Sequence, residues 1–440
     1  MSFPRYPAYK PSGVEWLGEV PEHWSLKPVF GVASQRDEDN KGMKEDNLLS
    51  LSYGNIVNKD INTSDGLLPE SFETYQIVRP GDIVLRLTDL QNDKRSLRSA
   101  LVTQTGIITS AYLTLESERI DSKFLNYLLR AYDVSKVFYS MGGGLRQSMK
   151  YADIKRMPLV IPAKAEQLAI ATFLDHETAK IDALIAEQQR LIGLLQEKRQ
   201  SVISHAVTKG LNPDAPMKDS GVEWLGEVPE HWDVKSCRNI ASIGRGASPR
   251  PAGDSRYFGG DFIPWVTVAE ITKDCSMGLC STEQYLTEEG AANSTVFSSG
   301  TVIYSNSGAT LGVPKILKID CCANDGVVGF RGLDLSLRPE FLYHFLWQLT
   351  DSIREWAKQG QGQPNLNTDI IKSIKIPLPP LEEQVDILRK LDEDLFVFDS
   401  LVSEADKAQL LLGERRSALI SAAVTGQIDV RGLVPEAVAA

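Results

Sequence analysis

The feature that most constrains this chain is a 13-residue segment that occurs twice without a single difference. Ser12–Trp24 reads SGVEWLGEVPEHW, and Ser220–Trp232 repeats it 208 positions later. A second repeat closes each half: Glu197–Thr208 (EKRQSVISHAVT) returns as Glu414–Thr425 (ERRSALISAAVT), 217 positions on. The residues between these blocks do not repeat. The chain therefore consists of two halves with shared ends and different middles.

A shorter repeat lies just before each closing segment. Glu166-Gln167 recurs as Glu383-Gln384 at the same offset of 217 residues. A proline-containing linker precedes both dipeptides, and it reads Leu378-Pro379-Pro380 before the second one. Because the spacing of apolar residues changes at both places, we predict that the secondary structure changes there.

Composition excludes some classes of protein. The 440 residues are 42% apolar and 24% charged, which is typical of several globular domains. No apolar run is long enough to span a bilayer and the N-terminus lacks an apolar signal region, so we expect a soluble cytoplasmic protein. The formal net charge of −11 argues only weakly against a nucleic-acid partner, because acids are concentrated in residues 382–416 while basic clusters remain in the middles.

Cysteine usage gives no sign of a metal site. All five cysteines lie in the second half: Cys237, Cys275, Cys280, Cys321 and Cys322. A Cys-x4-Cys pair and a vicinal pair could in principle bind zinc, but Cys-x2-Cys and histidine partners at ligand spacing are missing. We therefore expect reduced thiols in a core and no bound metal.

Both middles carry the pattern of a mixed α+β domain. Residues 26–155 alternate short β-type runs with turn signals such as Arg79-Pro80-Gly81-Asp82 and contain one helical run, residues 123–138. Residues 234–374 show the same order of elements and one helical run, residues 339–357. The predicted strands are 48–53, 83–87, 107–115, 262–268, 301–304, 313–319 and 327–330.

An apolar heptad repeat follows each middle. No proline occurs between Ala163 and Leu211, which predicts one helix of about 40 residues, roughly 60 Å long. The predicted seam is Leu174, Ile181, Leu184, Leu191, Leu195 and Val202 in the first helix and Leu391, Phe398, Leu401, Leu412 and Leu419 in the second. Because an isolated apolar seam would face water, we predict an antiparallel coiled coil within the chain. Two independent surface helices are the alternative.

The predicted fold class is α+β, with two mixed α/β domains separated by two long helices that form an antiparallel coiled coil, in a pseudo-two-fold internal repeat. The predicted boundaries are 1–157 for the first domain, 158–211 for the first long helix, 212–375 for the second domain, 376–426 for the second long helix and 427–440 for a flexible tail.

Sequence motifs for catalysis are missing. The chain has no Gly-x4-Gly-Lys-Ser/Thr phosphate loop, no Gly-x-Ser-x-Gly elbow, no His-Glu-x-x-His and no deaminase zinc signature. It also lacks an Asn- or Asp-Pro-Pro-Tyr/Phe tetrapeptide for adenine methylation; Asn212-Pro213-Asp214-Ala215 has no aromatic residue to stack on a base. We therefore predict no catalytic residues.

Basic and polar residues cluster on predicted turns of both middles. Arginine, asparagine and glutamine can make paired hydrogen bonds to base edges, while lysine and serine reach phosphates. A solvated surface is the plainer explanation for any single charge, but both middles carry such turns. The candidate DNA-binding residues are Arg86, Lys94, Arg95, Arg98, Arg146, Gln147 and Lys150 in the first middle and Arg245, Arg250, Arg256, Tyr257, Asn306 and Thr310 in the second.

The layout resembles the specificity subunit of a type I restriction–modification system over residues 11–426. The resemblance rests on the duplicated SGVEWLGEVPEHW, on Leu378-Pro379-Pro380 before Glu-Gln and on the duplicated Ile-Ser-x-Ala-Val-Thr. Arg79-Pro80-Gly81-Asp82-Ile83-Val84 and Tyr257 with Ile263-Pro264-Trp265 are also similar to segments of its target-recognition domains. The first linker departs from this pattern, because Pro162-Ala163 lacks the second proline.

This resemblance implies a function. In that family two target-recognition domains each read half of a split duplex DNA target, and two long helices set the gap and dock two methyltransferase subunits. Two restriction subunits, which are translocase-nucleases, join the complex. The family's S-adenosylmethionine, ATP and Mg²⁺ are expected on partner subunits, with no cofactor or metal on this chain. No membrane partner is implied.

Two other classes of function stay open at this point. The chain could be a coiled-coil scaffold that never binds DNA. It could also be a stand-alone DNA methyltransferase or nuclease with diverged motifs. A steep dependence of DNA affinity on salt would argue against the scaffold, and activity without partners would favour the enzyme.

Overall fold

A computed structural model describes residues 3–62, 71–90, 97–141, 148–308, 310–358 and 366–433. Contacts divide the chain into two compact units, Met1–Gln189 with Asp406–Ala440, and Arg190–Ala405. Each of the two long helices contributes one segment to each unit. The two units are described in turn.

The first half of the chain begins with short strands and ends in a long helix. Its strands are β1 (Tyr9–Pro11), β2 (Glu19–Pro21), β3 (Ser25–Pro28), β4 (Ser34–Gln35), β5 (Leu49–Ser52), β6 (Asn55–Asn58), β7 (Gln76–Val78), β8 (Ile83–Leu85), β9 (Ser99–Leu101), β10 (Gly106–Ile108), β11 (Leu113–Glu116) and β12 (Pro158–Ile161). Its helices are α1 (Val29–Val32), α2 (Ser122–Val134), α3 (Tyr151–Ile154) and α4 (Lys164–Lys209).

A four-stranded antiparallel sheet with the order β4-β11-β8-β9 forms the centre of the first unit. The sequence explains β8, because the predicted turn at Arg79–Asp82 precedes it and all three of its residues are buried. Gly81 supplies the positive φ of 96° that this turn requires. Asp121 caps α2 by accepting a hydrogen bond from the Phe124 N–H at 2.8 Å. The predicted helix over 123–138 is confirmed as α2 and a following 3₁₀ turn, Val137–Ser140.

Residues 428–430 pack against the first unit, which corrects the prediction of a flexible tail from 427 onward. Val430 is fully buried in the core of the first unit. The Asp429 N–H donates to the Pro4 carbonyl at 2.8 Å, and the Arg431 guanidinium lies 4.9 Å from the Tyr6 ring centre. The sequence of the tail lacks apolar periodicity, so its packing against the N-terminal arm could not be predicted. Residues 434–440 lie outside the described residues.

The second half has more strands and a second long helix. Its strands are β13 (Met217–Asp219), β14 (Glu227–Pro229), β15 (Asp233–Ser236), β16 (Ser242–Arg245), β17 (Phe258–Val266), β18 (Gly278–Leu279), β19 (Gln284–Leu286), β20 (Thr295–Phe297), β21 (Val302–Ser305), β22 (Pro314–Leu317), β23 (Cys321–Ala323), β24 (Val327–Arg331) and β25 (Lys375–Leu378). Its helices are α5 (Val268–Thr272), α6 (Glu288–Ala292), α7 (Pro339–Gln348), α8 (Thr350–Lys358), α9 (Thr368–Ser373) and α10 (Leu381–Val424).

The two larger sheets of the second unit have the orders β16-β24-β21-β22-β18 and β19-β17-β23-β20. The strands predicted from the sequence are confirmed here as β17, β21, β22 and β24. The predicted single helix over 339–357 is two helices, because Leu349 separates α7 from α8. Apolar residues of α7 such as Phe341 and Phe345 fill the core together with Leu391 of α10.

His344 in α7 makes stability depend on pH. The side chain is buried, neither ring nitrogen has a hydrogen-bond partner within the described residues, and burial, with a smaller effect of Arg199, lowers its pKa to about 4. Between pH 6.5 and 4 the unfolded chain binds a proton that the folded chain excludes. The free energy of unfolding should therefore fall as pH drops through this window, by up to about 3 kcal/mol.

Urea unfolding at pH 7 and pH 4.5 measures this effect. His344→Leu should remove most of the difference in unfolding free energy between the two pH values, whereas the same change at exposed His205 should leave it in place. A His344→Leu protein with the wild-type pH dependence would show that another group is responsible.

The long helices have about the predicted length, but not every predicted seam residue is buried. Leu174 and Ile181 are buried in the first unit, and Leu391 is buried in the second. Leu184, Leu191 and Leu401 are instead exposed by 51%, 41% and 47%, so their assignment to the seam is wrong. The inward positions are one residue later in α4, where Ile185 and Ile192 are half-buried.

The cysteines are divided between core and surface. Cys237, Cys321 and Cys322 are buried, as expected, and burial raises the pKa of Cys237 and of Cys321 to about 12. Cys275 and Cys280 are exposed, which the expectation of core thiols missed. Within the described residues, no helix is both long and apolar enough to cross a bilayer.

Candidate nucleic-acid interface

In the second unit, three residues of the segment 245–250 converge on Asp325. Arg245, at the end of β16, donates its Nε–H to the Asp325 carbonyl at 2.8 Å. Ser248 donates its hydroxyl to the Asp325 carboxylate at 2.7 Å, and Arg250 Nη2 lies 3.6 Å from the same carboxylate. The structure therefore brings Arg245 and Arg250 together on one exposed surface.

Asp325 organises this surface, and the sequence analysis did not single it out. The hydrogen bond from Ser248 lowers the pKa of its carboxyl, with further lowering by Arg250 and Arg245. The carboxylate therefore stays ionised and orders the segment from residue 245 to residue 250. Asn324-Asp325-Gly326 contains an Asp-Gly pair, which is a common turn signal in sequences and could have pointed to this residue.

Gly246 lets the same segment approach the β23–β24 turn. A Cβ at this position would lie 2.2 Å from the Asn324 carbonyl oxygen and 2.4 Å from that of Ala323. Gly246→Ala should therefore push Arg245 and Ser248 away from Asp325 and destabilise the second unit by about 2 kcal/mol or more.

Gly244→Ala is the matched control. Its Cβ would meet only the end of the flexible Arg331 side chain, which can move. Thermal unfolding of the two variants measures the difference. Equal melting temperatures would contradict the close approach described for Gly246.

Arg256 and Tyr257 form a second exposed group in this unit. Arg256 makes a paired interaction with Asp254, with Nη2 at 2.8 Å from Oδ2, and its guanidinium lies 5.2 Å from the Tyr257 ring centre. Arg256 is 59% exposed, so it can exchange Asp254 for a phosphate or a base edge.

Asn306 was predicted to bind DNA, and its burial shows that this prediction is wrong. The residue is fully buried, and its side-chain amide donates to the Leu366 carbonyl at 3.2 Å. Its role is to join β21 to the segment that leads into α9. Thr310 is exposed on the adjoining turn, which Thr350 and Arg354 hold through hydrogen bonds to the Gly312 and Leu311 carbonyls at 2.6 Å and 2.8 Å.

Arg98 was also predicted to bind DNA, and this prediction is wrong for the same reason. Its side chain is fully buried and donates to the carbonyl oxygens of Arg86 and Thr88 at 3.1 Å and 2.9 Å, and to that of Asp89 at 3.3 Å. Its backbone N–H donates to Asp133 of α2 at 2.8 Å. The hydrogen bonds of Arg98 therefore hold the loop that follows β8, residues 86–90.

Two predicted segments of the first unit do meet. The Met149 N–H donates to the Leu87 carbonyl at 2.8 Å, which places the exposed Lys150 next to the loop over residues 86–90. Arg86 is half-buried at the start of that loop. The remaining candidates of this unit, Lys94, Arg95, Arg146 and Gln147, lie outside the described residues.

One described cleft is polar and contains no nucleophile paired with a base. It has a volume of about 620 Å³ and lies in the first unit, where Arg36 bridges Asp82 and Glu116 at 2.6 Å and 2.8 Å. Neither histidine nor cysteine lines this cleft. Across the part of the chain that the structure describes, no group of His, Cys, Asp or Glu side chains could hold a metal ion.

Both α/β units carry exposed basic residues on loops, as contacts to DNA phosphates require. A family model described as the type I restriction modification DNA specificity domain matches residues 229–396. The type I restriction enzyme EcoDI specificity subunit of Escherichia coli is 21% identical, over 72% of this chain and 72% of its own length. The putative MjaX specificity subunit of Methanocaldococcus jannaschii is 22% identical, over 94% of this chain and 96% of its own.

A solved structure has the same fold. A chain from a study of the assembly of the type I restriction–modification system matches with a TM-score of 0.70 and 18% identity, covering 92% of this chain and 98% of that one. The chain is therefore similar to specificity subunits of type I restriction–modification systems.

Proposed function

We propose that the chain reads a bipartite duplex DNA target, with one half-site for each of two target-recognition domains, residues 1–157 and 212–375. The observation that carries this proposal is the contrast between ends and middles. The same 13-residue block opens both halves and takes the same pairing, since β1 with β2 and β13 with β14 have one register shifted by 208 residues. The loops with exposed cations differ between the halves, which two unlike half-sites would require.

We propose further that residues 158–211 and 376–426 are spacers that form an antiparallel coiled coil with pseudo-two-fold symmetry. Two ion pairs between the helices support this. Arg416 donates to Asp182 at 2.8 Å in the first unit, and Arg199 Nε lies 3.5 Å from Asp399 in the second. A shift of 217 residues converts each pair into the other. A later residue of α4 also meets an earlier residue of α10, as antiparallel helices require.

The length of the helices suits a spacer. The 46 residues of α4 span about 69 Å, which is about two turns of duplex DNA at 34 Å each. Arg245, Arg250, Arg256 and Lys150 would supply contacts to phosphates and base edges from the loops. Residues 382–416 of α10 carry ten acids and five bases, a surplus of five acids that lies away from these loops in the sequence.

Exposed leucines support docking of two methyltransferase subunits on the long helices. The first unit exposes Leu184 and Leu411, and the second exposes Leu194 and Leu401. A shift of 217 residues relates Leu184 to Leu401 and Leu194 to Leu411, so one partner surface could bind both sites. S-adenosylmethionine would bind to these partners, and ATP and Mg²⁺ to two restriction subunits that join the complex. We place this assembly in the cytoplasm.

An insertion series tests the spacer. Insertion of about four residues, one helical turn, into one long helix should change the gap between half-sites that the chain and its cognate methyltransferase subunits methylate best. The readout is methylation of a duplex library in which the gap varies and both half-sites are constant. An unchanged best gap across the series would contradict the spacer role. Affinity that does not fall with salt would instead favour a scaffold without DNA contacts.

A further inference from the structure

The repeated Glu-Gln dipeptides join each long helix to a helix of its own unit. In the first unit, Gln167 is 3% exposed; its Oε1 accepts from the Asp121 N–H at 2.9 Å and its Nε2 donates to the Pro162 carbonyl at 2.9 Å. Asp121 is the residue that caps α2. One amide group of α4 therefore bonds the N-terminal end of α2.

The second unit contains the same connection. Gln384 is fully buried; its Oε1 accepts from the Arg338 N–H at 2.9 Å, at the start of α7. Its Nε2 donates to the Pro379 carbonyl at 2.9 Å and to the Ser336 carbonyl at 2.7 Å. The missing second proline of the first linker thus leaves this geometry unchanged, because Pro162 supplies the same carbonyl as Pro379.

The preceding glutamates connect to the duplicated 13-residue block. Glu166 lies 3.0 Å from His23, and Glu383 lies 2.8 Å from His231. Each glutamine thus bonds the domain's own helix while its neighbour bonds the shared block. The glutamine amide can do both because it carries an acceptor oxygen and an NH2 donor, whereas an ionised carboxylate only accepts.

Each bonded helix leads to a loop that carries candidate DNA contacts. Near the other end of α2, Asp133 accepts the Arg98 N–H, and the Arg98 side chain holds the loop over residues 86–90. In the second unit, Thr350 and Arg354 of α8, which follows α7 directly, hold the Leu311 and Gly312 carbonyls. Each glutamine is therefore connected to a loop with candidate DNA contacts, first by hydrogen bonds to the start of a helix and then by hydrogen bonds from the far end of the helical segment.

We propose that Gln167 and Gln384 are positioning residues that set the angle of each recognition domain on its long helix, and thereby set the gap between half-sites. This inference rests on the proposed function. The hydrogen bonds of the buried amide hold the N-terminus of the helix. The helix therefore has little freedom to rotate about that point. Without these bonds the domain would stay folded on its own core but could reach half-sites at neighbouring gaps.

The test uses the full chain with its cognate methyltransferase subunits and a duplex library with gaps from two base pairs below to two above the wild-type optimum. Gln167→Met and Gln384→Met keep the approximate size of the side chain and remove all of its hydrogen bonds, two at Gln167 and three at Gln384. We expect the preference for the best gap over its nearest neighbours to fall by about tenfold in each variant, about 1.4 kcal/mol. The preferred bases within each half-site should not change.

Three further variants complete the design. Gln196→Met changes an exposed glutamine on the same long helix and should keep the wild-type gap preference. Gln167→Glu and Gln384→Glu keep the acceptor and lose the donor, and they decide the question if the methionine variants unfold. A folded variant with an unchanged gap preference overturns the proposal and leaves the proposed function intact. A wild-type protein with no gap preference overturns both.

Discussion

Replacement of either buried tryptophan of the repeated block by alanine should lower the free energy of unfolding of its own unit by about 3–5 kcal/mol. Trp24 and Trp232 are both fully buried. Trp24 contacts Tyr6 at 5.7 Å between ring centres and faces Gly426, and Trp232 faces Gly210 in the same way. Each indole therefore fills the space where a long helix ends, and its loss would leave a cavity there.

Replacement by phenylalanine should separate the two positions. The Trp232 Nε1–H donates to Glu383 at 3.0 Å, whereas the Trp24 nitrogen has no partner within the described residues. Trp232→Phe should therefore cost about 1 kcal/mol more than Trp24→Phe. Hydrogen exchange in denaturant, measured separately for the two units, gives both values. A larger loss from Trp24→Phe would contradict the assigned hydrogen bonds.

Arg98→Met should lower the free energy of unfolding of the first unit by about 3–5 kcal/mol and abolish reading of the first half-site. The change leaves the carbonyls of residues 86, 88 and 89 without their buried donor. It also removes the buried cation that lies 4.0 Å from the Asp133 carboxylate, whose pKa burial already raises. Reading of the second half-site should be unaffected.

Competition binding with duplexes that carry a single altered half-site measures this effect, with urea unfolding alongside. The control is Arg156→Met, which changes an exposed arginine of the same unit. If Arg98→Met stays folded and still discriminates between first half-sites as the wild type does, Arg98 has no part in shaping the loop.

Much of the fold could be predicted because the repeat is a strong constraint. The long helices, the strands β8 and β21 and the helix α2 all follow from periodicity and turn residues. The predicted coiled-coil seam was ambiguous at two places in α4, because apolar residues occur at both Leu184 and Ile185 and again at Leu191 and Ile192. A heptad pattern cannot choose between neighbours that are both apolar, and tertiary packing decides it.

The residues of the candidate interface were harder to predict from the sequence than the fold. Arg98 and Asn306 have the composition of DNA-binding residues, yet both are buried and bond backbone carbonyls. Residue type does not tell whether a polar group meets DNA or a buried carbonyl, because both offer hydrogen-bond acceptors. Asp325 was missed for the opposite reason, since an acid was not expected to organise a basic surface.

Methylome sequencing of cells with and without this protein tests the central claim most directly. The account predicts that one class of methylated site disappears with the gene, and that this class consists of two unlike half-sites separated by a gap of constant length. Methylation at a continuous, undivided motif, or at two half-sites with no preferred gap, would contradict it.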